Sequence, residues 1–167
     1  MNSRKEKSKS ERHKDIAGKF GEYFVLYYLS KNNFECVKFD YVGIDLFAQH
    51  NEDESEKWGI SVKLFNTQNQ TKGILKNTIT KAESSCKKFG WKPYIAMVFD
   101  RENEIDIFLC PTYVLREDGF LHMSKTKYRW SFREEYWKKY KKHKDVHFLS
   151  FKLDKIKWFS PNTPNGN

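Results

Sequence analysis

A chain of 167 residues with 38% apolar and 17% aromatic side chains can bury one domain's core without covalent staples. Its three cysteines, Cys36, Cys86 and Cys110, are widely spaced with no CxxC pair. They argue against a disulfide framework or a zinc knuckle and suit a reducing, cytoplasmic setting. The net charge of +9 is uneven: residues 1–14 carry +4, residues 122–158 carry +8, and residues 15–121 carry −3.

Basic flanks around a mildly acidic middle suit a polyanion gripped beside a cation-requiring centre, with nucleic acid the first candidate partner. A solvated lysine-rich surface is the alternative reading of the same charge. No apolar run approaches a membrane span, and the hydrophilic start lacks the apolar stretch of a signal peptide. No membrane partner is expected.

Residues 1–13 are polar and aperiodic and read as a mobile basic arm. From Asp15, a candidate cap, Ile16, Phe20, Phe24, Tyr27 and Tyr28 recur at helical spacing until Lys31-Asn32-Asn33. Gly18 and Gly21 lie on one side of this helix and are expected to let it approach a sheet closely. Strands are predicted over Phe34–Phe39, Gly43–Gln49 and Lys57–Phe65, the last two joined by an acidic connection. Gln68–Gly73 reads as irregular, and Ile74–Phe89 as a second helix stopped by Gly90. Tyr94–Phe99 is a continuous apolar run, typical of a strand buried on both faces. Glu104–Cys110 alternates as a further strand. Pro111–Leu115 is predicted as a short helix, Phe132–Tyr140 as an aromatic and basic helix, and Val146–Leu153 as a strand. The tail, 160–167, reads as disordered. The fold class is α/β, a mixed central sheet flanked by helices, with a basic C-terminal α+β appendage. The organisation expected is one domain over 14–159, with a core over about 15–110 and a basic extension over 111–159.

The chemistry concentrates on the second and third strands. Side chains alternate across a strand, so Ser61 and Lys63 share one face, and Asp45 on the partner strand can join them. An acid, a short polar group and a lysine on one sheet face suit a metal ion and a phosphodiester. Each alone has a plain reading as well: Asp45 as a strand-edge residue, Lys63 as a solvent-facing lysine, and Glu22 as one more solvated helix glutamate.

A helix carrying Gly21-Glu22 is followed by Gly43-Ile44-Asp45-Leu46 on one strand and Ile60-Ser61-Val62-Lys63 on the next. A helix and a buried strand come after these. This order resembles the PD-(D/E)XK nuclease superfamily, the restriction-endonuclease-like fold, and within it the Holliday-junction-resolvase-like and small uncharacterised members. The resemblance covers roughly residues 15–110. It implies that Asp45 is the metal-binding aspartate and that Lys63 orients water and stabilises developing negative charge. It implies that Glu22 is the acid of the first helix. Ser61 stands where the second acid belongs, a departure that bears on catalysis. The implied activity is metal-dependent endonucleolytic hydrolysis of DNA, with Mg²⁺ or Mn²⁺ as cofactor. Asp45, Glu22 and the Val62 carbonyl form the expected ligand set, and a homodimer is an open possibility. The alternative is a catalytically inactive nucleic-acid-binding module of the same fold.

Beyond the resemblance, Arg129, Arg133, Lys138, Lys139, Lys141 and Lys142 mingle with Trp130, Phe132, Tyr136, Trp137 and Tyr140. This segment suits a stacking and phosphate-binding surface, or equally a packing helix with a wet lysine face. His143 and His147 have helical metal spacing but no third ligand. Cys86 is expected in the core.

Overall fold

The structure, a computed structural model, describes residues 11–66, 71–101, 104–117, 121–123, 127–131 and 134–152. Its elements follow in the order α1 (Glu11–Lys31), β1 (Phe34–Tyr41), β2 (Ile44–His50), β3 (Lys57–Asn66), β4 (Thr71–Leu75) and α2 (Lys76–Phe89). Then come β5 (Lys92–Asp100), β6 (Glu104–Pro111), α3 (Thr112–Glu117), β7 (Leu121–Met123), β8 (Lys127–Ser131), α4 (Glu134–Lys141) and β9 (His147–Lys152). Six strands make one mixed sheet in the order β1-β2-β3-β5-β6-β9. Only β3 and β5 run parallel in it, and α2 lies on the chain between them. The predicted α/β architecture is therefore present.

Alternation along each strand feeds two cores. On one face Val25 and Leu29 of α1 pack over Leu46, Ala48, Ile60 and Val62. On the other, Ile79 and Ala82 of α2, Val114 of α3 and Tyr140 of α4 pack over Ile95, Met97 and Phe108. The run Tyr94–Phe99 divides between them, with Tyr94, Ala96 and Val98 under α1 and Ile95, Met97 and Phe99 opposite. This explains why β5 reads as continuously apolar.

Four local expectations are corrected. The first helix begins at Glu11, so residues 11–13 of the expected arm are helical, and Asp15 pairs with Lys19 at 2.9 Å one turn on. Of the two helix glycines only Gly21 meets the sheet: a Cβ there would lie 3.4 Å from Leu64, while at Gly18 it would meet nothing within 4 Å. The second helix starts at Lys76, because Ile74 and Leu75 belong to β4 with extended backbone (Leu75 φ −65°, ψ 132°). Finally, β4 pairs with β8, and β8 with β7, in a separate three-stranded sheet that local periodicity does not announce. Gly90 ends α2 as expected, in the left-handed conformation at φ 70°. The tail 160–167 lies outside the described residues.

Candidate active site at the open end of the β2–β3 pair

The position of Asp45 is set by the turn before it. Gly43 has φ 78°, and a Cβ there would stand 2.7 Å from backbone atoms of Lys81 and Ala82 on α2. Only glycine combines that conformation with that approach. Ser85 Oγ of the same helix donates to the Val42 carbonyl at 2.6 Å. The turn is thus pressed onto α2, and β2 departs from a fixed point two residues before Asp45.

The β2–β3 register runs from Gln49 opposite Lys57 to Leu46 opposite Ile60. One step further, Asp45 stands at the level of Ser61, and its side chain takes over the bridging. Asp45 Oδ2 accepts the Val62 N–H at 2.6 Å and the Ser61 hydroxyl at 3.2 Å. Lys63 Nζ lies 3.6 Å from the same oxygen and donates to the Val62 carbonyl at 2.8 Å. The carboxylate is aimed by a main-chain N–H and a hydroxyl, bonds that a charged acceptor strengthens. Ser61 is only 1% exposed and forms the floor, whereas the Asp45 and Lys63 side chains keep 29% and 37% of their surface in water.

The four residues Asp45, Ser61, Val62 and Lys63 are therefore brought together. Glu22 is engaged elsewhere, in an ion pair with Lys38 of β1 at 2.7 Å. That pairing raises the Lys38 ammonium above its ordinary pKa. Helix α1 crosses the face carrying Val62 and Leu64, whereas Ser61 and Lys63 occupy the alternate positions of β3. Among the described residues, no group of three or more His, Cys, Asp or Glu stands ready to hold an ion.

The donor set here is one carboxylate, one hydroxyl and one carbonyl. The Lys63 ammonium stands in for a cation between two of these oxygens, Asp45 Oδ2 and the Val62 carbonyl. One carboxylate beside a lysine is a weak trap for a hard cation. It fits an ion such as Mg²⁺ that keeps several waters and takes its remaining oxygens from a phosphate.

The basic candidates lie toward the opposite edge of the sheet. Lys138, Lys139 and Lys141 on α4 and Lys142 just after it are exposed, and the Lys141 ammonium rests 4.2 Å over the Phe148 ring of β9. Tyr140 is fully buried against Phe108, so α4 packs through Tyr140 and leaves Lys138, Lys139 and Lys141 exposed, on the sheet face that also carries Ser61 and Lys63. Arg129 is in β8, opposite Gly73, though its side chain is outside the described residues, as is Arg133 entirely. The side chains of Trp130, Phe132, Tyr136 and Trp137 are outside them too. His143 accepts the Asp145 N–H at 3.2 Å in the loop after α4, and His147 packs on Trp58 in β9, so the pair does not share a helix. Cys86 is core: burial pushes its thiol up to about 11, and Sγ donates to the Gly59 carbonyl.

Sequence reasoning did not single out Ser85, which anchors the turn, or Lys38, which engages Glu22. An exposed-looking serine in a helix carries no local signal, and the Lys38–Glu22 contact spans two elements. Among the described residues, no helix is long and apolar enough to cross a membrane.

Comparison with known proteins bears on the fold. No family model matches the sequence, and no curated protein matches it. Among solved structures, the chain is similar to Hjc, a Holliday junction resolvase of the archaeal hyperthermophile Archaeoglobus fulgidus. The TM-score is 0.54 at 16% identity, over 72% of this chain and 87% of that one. A restriction endonuclease in complex with substrate DNA aligns with a TM-score of 0.41 at 15% identity, over 86% of this chain and 73% of that one. The chain has the restriction-endonuclease-like α/β fold. Asp45 is on β2, and Ser61, Val62 and Lys63 are on β3, adjacent strands of its sheet.

Proposed function

We propose that the protein is a metal-dependent endonuclease acting on DNA, with its centre at Asp45, Ser61, Val62 and Lys63. The observation that carries this reading is the single carboxylate oxygen shared by the Val62 N–H, the Ser61 hydroxyl and the Lys63 ammonium. On a restriction-endonuclease-like fold, this places an aimed acid beside a cation at one spot on adjacent strands. A structural neighbour of that fold is a Holliday junction resolvase, which supports a nucleic-acid substrate. The basic flanks support it independently.

Asp45 and the Val62 carbonyl would hold Mg²⁺ or Mn²⁺, with Glu22 contributing only if it leaves Lys38. When bound, the ion supplies Lewis-acid stabilisation of phosphate charge and a nucleophile at neutral pH. The Val62 N–H and Ser61 fix Oδ2 and so aim the carboxylate. Lys63 offers a compact positive charge that can pass from Asp45 and the Val62 carbonyl to a phosphate oxygen. Lys138, Lys139, Lys141 and Lys142 hold more distant phosphates, joined by Arg129 and Arg133.

A second reading is favoured by one observation: Ser61 occupies the second acid's position and is 1% exposed, serving as a donor to Asp45 and adding no charge. On that reading the fold binds nucleic acid without cutting it. Plasmid, single-stranded and branched DNA incubated with Mg²⁺ or Mn²⁺ separates the two. The endonuclease reading expects cleavage by the wild type that Asp45→Ala and Lys63→Ala lose. Wild-type cleavage no better than either variant refutes it, and salt-sensitive binding without cleavage establishes the second reading.

A further inference from the structure

Beside the candidate site, α1 and β3 enclose a cleft of about 590 Å³ that ends at Asp100 of β5. Its volume is in the range of small-molecule sites, and Val62 and Lys63 belong to its lining. The α1 wall is apolar: Ile16, Ala17, Gly18 and Phe20 face Leu64 across it. Ile16 and Phe20 are 55% and 43% exposed, and Phe20 stacks on Phe24 with centroids 5.5 Å apart. Ile16 and Phe20 stand one helical turn apart, and a contiguous apolar strip rimmed by polar groups is commoner at binding surfaces than scattered single residues are. Gly18 leaves a notch in the wall, since a Cβ there would meet nothing within 4 Å. Lys14 on α1 also lines it, and so does Lys63 of β3, whose ammonium is held at the carbonyl of Val62 in the same lining.

A paired duplex shows sugars and phosphates to a protein and keeps its base faces stacked inside. Its apolar offerings to Ile16, Ala17 and Phe20 are limited to sugar edges and thymine methyls, far smaller than a base face. A nucleotide that has left the stack presents an apolar base face at one end and a phosphate at the other, matching the cleft's wall and its cations.

We propose that this cleft receives one unpaired nucleotide, with its base against Ile16, Ala17 and Phe20 and its phosphate toward Lys14 and Lys63. The substrate class is then nucleic acid with unpaired bases beside the contacted phosphate, as in single strands, flaps and branches, and not uninterrupted duplex. The inference rests on the reading that Lys63 meets a nucleic-acid phosphate.

The test measures binding with divalent ions omitted, so that it does not depend on cleavage. Fluorescent oligonucleotides carrying 2-aminopurine, as single strand, branched DNA and perfect duplex, are titrated with the full chain, with Gly18→Leu and Gly18→Ala, and with Phe20→Ala. Gly18→Leu fills the notch while replacing a weak helix former with a strong one, so folding is not at risk. The wild type should prefer the unpaired probes and perturb 2-aminopurine fluorescence. Gly18→Leu and Phe20→Ala should weaken that binding about 5- to 150-fold, the range of one base–aromatic stack, with duplex binding unchanged. Gly18→Ala, which leaves the cleft open, should bind like the wild type. Equal wild-type affinity for duplex and single strand, or unpaired binding unmoved by Gly18→Leu and Phe20→Ala, overturns the proposal. Cleavage of perfect duplex that needs Asp45, together with unmoved binding, would remove the cleft proposal and leave the endonuclease. Selective, Gly18→Leu-sensitive binding without any cleavage would do the reverse.

Discussion

At one end of the β2–β3 pair, Ala48 stands opposite Trp58 in the core: Ala48 is 0% and Trp58 5% exposed, and Trp58 stacks on Tyr94 at 4.4 Å. Next to it, Gly59 lies directly beneath the Cys86 sulfur of α2. At the other end, the main-chain register has stopped and Asp45 bridges the strands through its side chain. Both ends come from the same alternating sequence and both touch α2, yet at one the inward side chains are apolar and buried, while at the other the Asp45 and Lys63 side chains keep 29% and 37% of their surface in water. The difference teaches where this fold can keep polar chemistry. A carboxylate satisfied by a neighbouring N–H and a hydroxyl occupies the position of a ladder bond, so the polar groups themselves are held by a few hydrogen bonds above a packed floor. Changes there should strike function and spare stability, and changes at the packed end should do the opposite.

The largest expected effect that would break this contrast is at Asp45. In Asp45→Asn the amide oxygen still accepts the Val62 N–H, so stability should fall by only about 1 kcal/mol in urea unfolding. Cleavage, by contrast, should fall at least about 100-fold. A comparable loss of stability in Gly59→Val should appear without a matching loss of activity. The added side chain would collide with Cys86 Sγ, and overpacking of this kind costs about 1–3 kcal/mol. Cleavage per folded molecule, measured at low temperature, should stay near wild type. If Gly59→Val instead silences a fully folded protein, the two ends are not separable in this way.

Ser61→Asp sharpens the contrast by placing a second acid at a position that is 1% exposed and already beside Asp45. Without a cation, two neighbouring carboxylates should lower the midpoint of thermal unfolding by an amount equivalent to about 1–3 kcal/mol. Millimolar Mn²⁺ should return part of that loss, because an ion that binds only the folded state stabilises it. The smallest effect is reserved for Lys63→Met. Its pairing with Asp45 is part-exposed, and removing it should change stability by less than about 1 kcal/mol. The same variant should cleave far more slowly, measured as single-turnover rates on saturating DNA.

The meeting of Asp45 with Ser61 and Lys63 was legible in the sequence because it depends on short-range geometry. Alternation assigns Ser61 and Lys63 to one face, and the short acidic connection makes β2 and β3 neighbours, which brings Asp45 to them. Gly90 and the double-faced run of β5 were legible for the same local reason. Ile74 and Leu75 were not, since their apolar spacing is compatible with α2. Their true partners, Tyr128 and Lys127, are more than fifty residues away. Gly18 and Gly21 look alike in the sequence, but only the tertiary crossing of α1 over β3 decides which one packs. Glu22 illustrates the same limit. Its helical position follows from periodicity, while its engagement by Lys38 depends on how the helix lies over β1.

The central claim is that the open end of β2–β3 is a cation and phosphodiester site organised by Asp45. Mn²⁺ binding followed by electron paramagnetic resonance tests it most directly, using wild type and Asp45→Asn with and without phosphorothioate DNA that resists cleavage. Wild type should bind Mn²⁺ weakly alone and more tightly with DNA, and Asp45→Asn should lose both. Mn²⁺ binding that Asp45→Asn leaves intact, or that DNA does not strengthen, would contradict the account.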